Sequence, residues 1–481
     1  MKRVNLILVL CAVTVSSVFA GGLKTNTNQS AAWARTLTRN ASLGVDAVYY
    51  NPAGLAHLKN GLSLSVSNQS IFQTRTITSN FMGFNNAPKS GYEADLTAPI
   101  YPSVFGAFKM DKLTISAGFN LIGGGGSADF QSGLPSVEML GLAMAPQVNN
   151  FMNAYIDPMF GNTSGYEMDA SFNGSSLYMG FQLGVTYAIN DMIAVAIGGR
   201  YVNAKNSYKG SMDAKIFAPA MGAEAVYPGD YVRHVAGLVG QASNPLLIGA
   251  AMTFDSLSNG AGVNTIQTGH GFTPIIGVNL NLFGMLNVAA KYEHRTKIEM
   301  TNETTQDLTK DYALFPDGEK SRADLPGQFS LGAELSPIDK LVASVGFDYF
   351  LDKGADYGIS DANGEHIENS MAIDENAWTM SASLQYRMIG PLGISAGYSF
   401  GNLGVNSLYQ SDMSYANKSS SIAGGLFLEL GKMIVINAGF VHTMYDDSSK
   451  DFSGAAYGAP DYIETYGKAT NLFAIGIDIC L

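Results

Sequence analysis

Cysteine, charge and long apolar runs are all scarce in this chain of 481 residues. It has 2 cysteines, and only 14% of its residues are charged, whereas an average soluble domain carries about 25%. Cys11 falls in an expected leader, so only Cys480 would persist and an intrachain disulfide is excluded. Beyond residue 20 no run of about 18 apolar residues occurs, which argues against a helical membrane protein. The net charge is −12 without a basic stripe, so no nucleic-acid partner is expected.

Glycine and aromatic residues are abundant instead. The chain has 54 Gly, 24 Tyr and 25 Phe, and its hydrophobic residues make up 46% of the total but are dispersed. This composition excludes a disordered or coiled-coil chain. It favours a β-rich protein.

The first twenty residues have the pattern of an export signal. Lys2 and Arg3 form a positive start, an apolar core runs over 4–15, and small residues end at Ala20. We therefore expect a signal peptide at 1–20 that is removed on export. Because no anchor helix follows, the mature chain is expected to be free outside the inner membrane or to form an outer-membrane β-barrel.

Long stretches in which apolar and polar residues alternate strictly favour the barrel over a free exported protein. At 286–300 the even positions carry apolar residues such as Leu286 and Tyr292, while the odd positions carry charged residues such as Lys291 and Glu293. Such stretches exceed the strands of most soluble sheets and match the roughly 9–11 residues that cross a bilayer at a tilt. The apolar face would meet lipid and the polar face would line a lumen.

About fourteen such segments follow one another, an even number as in single-chain bacterial barrels. They are 61–80, 92–109, 113–130, 166–187, 191–211, 268–283, 285–302, 324–336, 340–352, 374–388, 392–402, 417–431, 433–446 and 468–481. Short turns alternate with long connections, the obvious long ones being 131–165, 212–267, 303–323, 353–373 and 447–467. Short turns on one side and long loops on the other are typical of transmembrane barrels. The prediction is an all-β protein, a transmembrane antiparallel β-barrel occupying 61–481, with long extracellular loops at 131–165 and 212–267.

The segment 21–60 lacks alternation and precedes the first strand. Its small and apolar residues favour packing over solvation, and a lumen of fourteen strands is too wide for wall side chains to fill. We therefore predict an N-terminal luminal plug, or hatch, at 21–60.

Within this plug, residues 49–55 read YYNPAGL after Asp46-Ala47. This run resembles the hatch motif of the FadL/TodX-type outer-membrane transporters, with Asn51, Pro52 and Ala53 as the motif itself. Further similar stretches are 98–103 (APIYPS), 110–113 (MDKL) and 325–328 (LPGQ). The chain departs from the family at its last residues, which include Cys480 and Leu481 where those barrels end in an aromatic residue.

The resemblance implies passive uptake of long-chain fatty acids or other hydrophobic molecules, with no enzymatic activity, cofactor or metal. It implies that a kink in the third strand, at Gly123, Gly124, Gly125 and Gly126, lets cargo leave sideways into the bilayer. The alternative is that these glycines merely begin the long loop. Expected partners are the hydrophobic ligand, outer-membrane lipid and the barrel-assembly machinery of a Gram-negative bacterium, and we expect a monomer.

The sequence also suggests residues that contact cargo. The long loops are unusually apolar and rich in Met, a side chain that adapts to varied ligands. Candidate ligand contacts in the loops are Leu140, Met144, Phe151, Phe217, Met252 and Phe254. Candidate cations for a carboxylate head group are Arg35, Arg39, Lys291, Arg295 and Arg387. For any one of these residues, packing or charge pairing is the alternative role.

Two other classes of function stay open at this point. A general outer-membrane porin or adhesin would lack the plug and the apolar loops. A lipid hydrolase would need a nucleophile, and 393–397 matches G-x-S-x-G by its letters. That motif requires a strand-turn-helix elbow, whereas Ser395 sits in the middle of an alternating segment, so we interpret the match as chance.

Overall fold

The computed structural model describes residues 23–481 except 82, 85–90, 132, 308–312, 361–364, 432 and 454–461. The expected signal peptide and its cleavage site lie outside these residues.

The described chain forms one antiparallel β-barrel of 14 strands, as predicted. The strands are β1 Gly61–Ser79, β2 Tyr92–Met110, β3 Leu113–Phe130, β4 Ser164–Ala188, β5 Ile193–Phe217, β6 Ala261–Leu282, β7 Leu286–Glu293 with Glu299–Gln306, β8 Lys320–Arg322 with Gln328–Ile338, β9 Leu341–Phe350, β10 Trp378–Ile389, β11 Leu392–Asn402, β12 Ser419–Leu430, β13 Ile434–Tyr445 with Ser448–Asp451, and β14 Ile463–Cys480.

The last strand closes the barrel on the first. β14 pairs with β1 from Ser63↔Cys480 to Ser79↔Glu464, and it pairs with β13 on its other side. Closure removes the two free edges that an open sheet would have. This suits a lipid bilayer, where backbone groups find no water to bond.

Alternation along the strands separates two faces as predicted. On the outer face, Leu183 is 68% exposed and Ile475 is 62% exposed, whereas the inward Gln182 beside Leu183 is 4% exposed. The outer face is therefore an apolar band too extensive for a monomeric soluble protein.

Strand lengths differ from the prediction in several places. Strand residues Ser448–Asp451 and the start of β14 at Ile463 fall in the connection predicted at 447–467. The segment predicted at 285–302 is interrupted between Glu293 and Glu299, opposite a matching break in β8. The Thr296↔Leu325 bridge and a hydrogen bond from the Ala323 amide to the Ile298 carbonyl join the two breaks. β5 and β6 also continue past their predicted ends. They pair with each other as far as Met212↔Ala261, and β5 runs on to Phe217. The loop predicted at 212–267 is therefore shorter than expected. The prediction ended these strands too early because the upper hairpin is rich in Ala, Ser and Lys and alternates only weakly.

Short turns gather at one end of the barrel and long connections at the other. The helices are α1 Ala31–Ala34, α2 Ala47–Tyr50, α3 Pro135–Tyr155, α4 Pro228–Leu238, α5 Pro245–Ser258 and α6 Asn369–Ala372, with 3-10 turns at Pro52–His57, Pro158–Phe160, Pro219–Met221 and Asp352–Gly354. A two-residue strand, Ala225–Val226, pairs with the end of β5. Each loop helix from α3 to α5 begins with a proline, whose fixed φ suits the first helical turn. None of the helices in the described ranges is long and apolar enough to span a bilayer.

Residues 23–60 fold inside the barrel as the predicted plug. Nearly all of them are buried, including polar ones such as Asn28 and Thr36. Residues 31–40 lie against the inner wall at a row of glycines, one from each of six strands. At each glycine a Cβ would stand 3.0 Å or less from a plug atom; the pairs are Gly476–Ala31, Gly439–Ala34, Gly425–Arg35, Gly397–Thr36, Gly346–Thr38 and Gly332–Asn40. The wall therefore forms a groove that the plug backbone occupies.

We predict that Gly397→Val displaces the plug from the wall. The added side chain would overlap the backbone of Thr36, and such overpacking costs about 1–3 kcal/mol. Limited trypsin digestion of the folded barrel, analysed by mass spectrometry, should then reveal cleavage after Arg35 or Arg39. The control is Gly424→Val, since its nearest atom beyond its chain neighbours is a carbonyl oxygen 3.8 Å away. Protection of the plug in Gly397→Val equal to that in the control would contradict the groove.

Candidate functional site

A buried carboxylate holds the plug together. Asp46 accepts hydrogen bonds from the Arg39 guanidinium at 2.8 Å, from Ser42 Oγ at 2.6 Å and from Ser30 Oγ at 2.9 Å. Ser30 Oγ also accepts from the amide of Trp33 at 3.0 Å and so caps α1. Burial by itself raises the pKa of Asp46, but the Arg39 charge and these hydrogen bonds outweigh it and lower that pKa below its ordinary value.

The hatch motif is bound to the wall by a chain of asparagines. Asn51 Nδ2 donates to Asn279 Oδ1 at 2.7 Å, and Asn279 Nδ2 donates to Asn287 Oδ1 at 2.8 Å. The Pro52 carbonyl accepts from Thr186 Oγ1 at 2.7 Å. Asn51 and Ala53 are fully buried and Pro52 is buried beside them. The motif thus connects the plug to β4, β6 and β7.

A second contact between wall and plug is ionic. Arg200 and Lys291 both bind the Glu293 carboxylate, at 2.6 and 2.7 Å, and all three side chains are buried. Both cations also lie near the Tyr49 ring, 4.9 and 4.5 Å from its centroid, and the Lys291 amine donates to the Tyr49 carbonyl at 2.9 Å. Charges this deep are tolerated because they pair.

The barrel wall is interrupted between β2 and β3. Pairing runs from Met110↔Leu113 to Val104↔Phe119 and resumes only at Leu96↔Ala128. We call the unpaired stretch, β2 residues 97–103 opposite β3 residues 120–127, the wall gap.

The predicted kink glycines lie in β3 at this gap. Gly124 and Gly125 have φ of +65° and +113°, a region that side chains disfavour. The pairing of β3 with β4 shifts register twice here, between Leu121 and Gly123 and between Gly124 and Gly126. The glycines therefore bend the strand away from β2.

Three side chains bond to the unpaired stretch of β3: Tyr101 of β2, and Asn26 and Gln29 of the plug. Gln29 Nε2 donates to the Leu121 carbonyl at 2.9 Å. Tyr101 of β2 is buried, and its hydroxyl donates to the Leu121 carbonyl. Asn26 of the plug donates through Nδ2 to Tyr101 Oη at 2.6 Å and to the Gly124 carbonyl at 2.8 Å, and its amide donates to the Ile122 carbonyl at 2.8 Å. The N-terminal end of the plug thus satisfies the backbone groups that β2 leaves unpaired.

Loop helices cover the end of the barrel opposite the short turns. Of the candidate loop residues, Met144 and Phe254 are buried in an apolar cluster formed by α3, α4 and α5. Leu140 and Phe151 are half-buried against the same cluster, with the Phe151 and Phe254 rings 6.1 Å apart. These four residues pack between helices, and their contact with a ligand stays a prediction.

Two other candidates are accessible to different degrees. Phe217 is half-buried at the end of β5, and Met252 is 64% exposed on α5. Leu246 and Ile248 share the exposed surface of α5, and Leu238 of α4 is also exposed. These side chains form an accessible apolar surface on the loop helices.

The anchor of α3 was not identified from the sequence. Glu138 is fully buried and accepts hydrogen bonds from the hydroxyls of Tyr92 and Tyr166, the latter at 2.6 Å. The Ser136 amide donates to Asp412 Oδ2 at 2.8 Å. A glutamate in a loop carries no pattern that marks it as buried.

The predicted head-group cations do not converge on one place. Arg39 binds Asp46 and Lys291 binds Glu293, as described above. Arg295 donates to the Gly354 carbonyl and its Nε lies 3.8 Å from Asp324. Arg387 lies near the short turns and binds Glu429 at 2.5 Å.

Arg35 differs from these four because its hydrogen-bond acceptors are neutral. It donates to Asn437 Oδ1 at 2.9 Å and to Gln385 Oε1 at 2.5 Å. Its guanidinium carbon lies 4.6 Å from the centroid of the Phe427 ring. The side chain is buried between plug and wall, so it fixes the plug in place.

Solved structures share this architecture. A FadL homologue from Pseudomonas aeruginosa is 11% identical, with a TM-score of 0.62 over 96% of this chain and 100% of that one. The toluene transporter TodX from Pseudomonas putida is 13% identical, with a TM-score of 0.53 over 97% and 100%. Comparison with known protein families and with curated proteins yields no match. At such identities the likeness establishes the fold, and it confirms the predicted plugged barrel.

We predict that Asp46→Asn loosens the plug and raises the ion conductance of the protein in planar bilayers. Removing one partner of a buried ion pair costs about 3–5 kcal/mol. Because the folded-state pKa of Asp46 is lowered, its stabilising effect is present above the ordinary carboxyl pKa and is lost as the pH falls through the lowered value. Wild-type conductance should therefore rise in strong acid.

The matched control is Asp230→Asn. Asp230 pairs with Arg233 on the surface of α4 with its side chain 50% exposed, where such pairs contribute little. Conductance of Asp46→Asn as low as that of this control would contradict the assigned role of Asp46.

Proposed function

We propose that this protein is an outer-membrane channel that takes up hydrophobic small molecules, long-chain fatty acids among them, by passive diffusion. The observation that carries the proposal is a plugged barrel whose wall is interrupted beside the plug, at the wall gap. An alkyl chain needs a route that avoids water, and the gap supplies one into the bilayer core.

The filled lumen argues against a general porin. Plug residues 31–40 occupy the groove in the wall, and the ionic contacts of Arg200 on β5 and Lys291 on β7 around Tyr49 hold the plug at further strands. Water-soluble nutrients therefore have no wide aqueous path through this conformation. A porin would instead keep a water-filled channel.

The surroundings of Ser395, the candidate nucleophile, argue against a hydrolase. Ser395 lies within β11, paired with Gln385 of β10 and Gly425 of β12. Its Oγ donates to the Gly425 carbonyl at 3.4 Å. A serine inside a regular ladder lacks the sharp strand-to-helix turn that exposes a catalytic hydroxyl.

The proposed route begins at the loop helices and ends in the bilayer. The accessible apolar surface with Met252 on α5 would collect cargo, which would pass the plug and leave at the wall gap. For this to happen, the Asn26 hydrogen bonds to Tyr101 and β3 must break. Ile100 beside Tyr101 is 73% exposed, so the outside of the gap already faces lipid.

The structural similarity to two solved outer-membrane proteins supports the proposal of a channel for hydrophobic molecules. One of the matched structures is described as a toluene transporter and another as a FadL homologue. With the apolar outer face and the expected signal peptide, we propose the outer membrane of a Gram-negative bacterium as the location. A monomer inserted by the barrel-assembly machinery is the expected form, because closure leaves no edge for a partner.

We predict that Gly126→Val blocks lateral exit. A Cβ at this position would overlap the Leu96 side chain across the wall gap. Uptake of radiolabelled oleate, in a strain lacking its own fatty-acid channel, should fall to the level of cells without the protein. Sugar permeation in liposome swelling should be absent for both wild type and variant.

The control is Gly106→Val, on β2 outside the gap, where a Cβ would lie 3.3 Å from Leu64 and make no contact with β3. Oleate uptake by Gly126→Val equal to wild type, at equal protein levels, would refute the lateral exit. Failure of the wild type to raise oleate uptake while passing sugars would instead favour a porin.

A further inference from the structure

The apolar outer face of the barrel ends at a sharp border on β4. On the outward positions apolar side chains continue from Tyr187, next to the short turn, up to Leu177, and the next two outward residues, Ser175 and Asn173, are polar. The stretch from Tyr187 to Leu177 is about 33 Å of strand. At the usual tilt this gives about 25 Å of height, which is the height of the apolar band of membrane barrels. Leu177 therefore marks the upper border of the band.

Two outward lysines of β5, which we call the lysine pair, stand at and above this border. Lys205 is directly opposite Leu177, and Lys209 follows about 13 Å further along the strand. Both are exposed, whereas the inward Tyr208 between them is fully buried. Tyr201, on the same outward face below Lys205, is 45% exposed, as in the aromatic girdles that flank an apolar band. The lysine pair therefore faces the membrane surface on the side of the long loops.

The lysine pair has no ionic partner within the described part of the chain, where no carboxylate forms an ion pair with Lys205 or Lys209. The exposed Lys320, by contrast, binds Glu299 at 2.7 Å. The residues directly opposite the lysine pair on β4 and β6 are neutral: Leu177 and Thr268 at Lys205, and Asn173 and Asn264 at Lys209. The two ammonium groups are thus left with their full charge.

Two carboxylates on the strands around the lysine pair bond elsewhere. Glu303 of β7 is separated from β5 by β6, and it accepts from Thr268 Oγ1 at 3.5 Å. Asp213, further along β5, accepts from the Gly260 amide at 2.9 Å and from the Tyr227 hydroxyl at 3.2 Å. The lysine pair therefore remains available to an anion at the membrane surface.

The position of the lysine pair selects the kind of anion. Basic side chains at the edge of an apolar band attract anionic lipid head groups. In the proposed location the outer leaflet consists of lipopolysaccharide, whose lipid A carries one phosphate at each end of a glucosamine disaccharide. Two cations about 13 Å apart along a strand suit two separated phosphates better than the single phosphate of a phospholipid. Asn173 and Asn264 beside Lys209 can bond to sugar hydroxyls.

We infer that Lys205 and Lys209 bind the two phosphates of a lipid A molecule whose acyl chains lie against the apolar band below Leu177. The inference rests on the proposed function for the location in the outer membrane. It places a lipid site on the outside of β4, β5 and β6, separate from the cargo route through the lumen.

The test compares lipids that differ in phosphate. Purified full-length protein in detergent is titrated with bisphosphorylated lipid A, with enzymatically dephosphorylated lipid A and with phosphatidylglycerol, and the Kd of each is measured. Wild type should bind bisphosphorylated lipid A most tightly. Replacing one lysine of the pair with Met should weaken this binding about fivefold, and Lys205→Met with Lys209→Met about thirtyfold. Binding of the dephosphorylated lipid should not change.

Further variants separate the role of the charge at this place from general electrostatics and from folding. Lys205→Arg with Lys209→Arg keeps both charges and should retain most of the affinity. Lys340→Met removes an exposed lysine from the short turn between β8 and β9, at the opposite end of the barrel, and should bind lipid A like the wild type. Heat-modified gel mobility identical to wild type shows that each variant barrel is folded.

The outcomes distinguish the inference from the function on which it rests. Lipid A binding by the double Met variant within twofold of wild type, an equal loss in Lys340→Met, or tighter binding of phosphatidylglycerol overturns the lipid A site. Oleate uptake by the double Met variant should equal that of wild type, because the lysine pair lies outside the cargo route. Failure of the wild type to raise oleate uptake overturns the proposed channel, whereas lysine-dependent binding of lipid A would still support the lipid site.

Discussion

The requirement that backbone groups in lipid bond to one another controls this structure. It forces the sheet to close, and β14 meets β1 along nearly its whole length. The wall gap departs from this requirement, because β2 and β3 are not paired over β2 residues 97–103. Asn26 and Tyr101 repair the loss by bonding to carbonyls of β3. Wall and plug are therefore one hydrogen-bonded system.

Much of the fold could be predicted from the sequence because lipid outside and polar groups inside impose a period of two. Prediction was weakest where that contrast fades. The upper part of β5, rich in Ala, Ser and Lys, continues to Phe217, and the break between Glu293 and Glu299 interrupts a segment whose alternation continues across it. Glycines on the inward phase, such as Gly397 and Gly476, line the plug groove, and their alternation with outward residues is visible in the sequence.

The functional residues were harder to predict, because alternation indicates which side chains face the lumen and leaves their partners unknown. Arg39 and Lys291 face inward as expected, yet a carboxylate engages each of them. Met144 and Phe254 illustrate the same limit in the loops, since apolar residues between strands pack on each other as readily as on a ligand.

The row of glycines has a bearing on biogenesis. Residues 31–40 are made early, but the groove that receives them belongs to strands from β8 to β14, most of a chain length later. The groove exists only once those strands are assembled side by side, so residues 31–40 can enter it only when the barrel is nearly complete. Binding of residues 31–40 to the wall is thus a late step of biogenesis, and it requires that the strands up to β14 have been inserted.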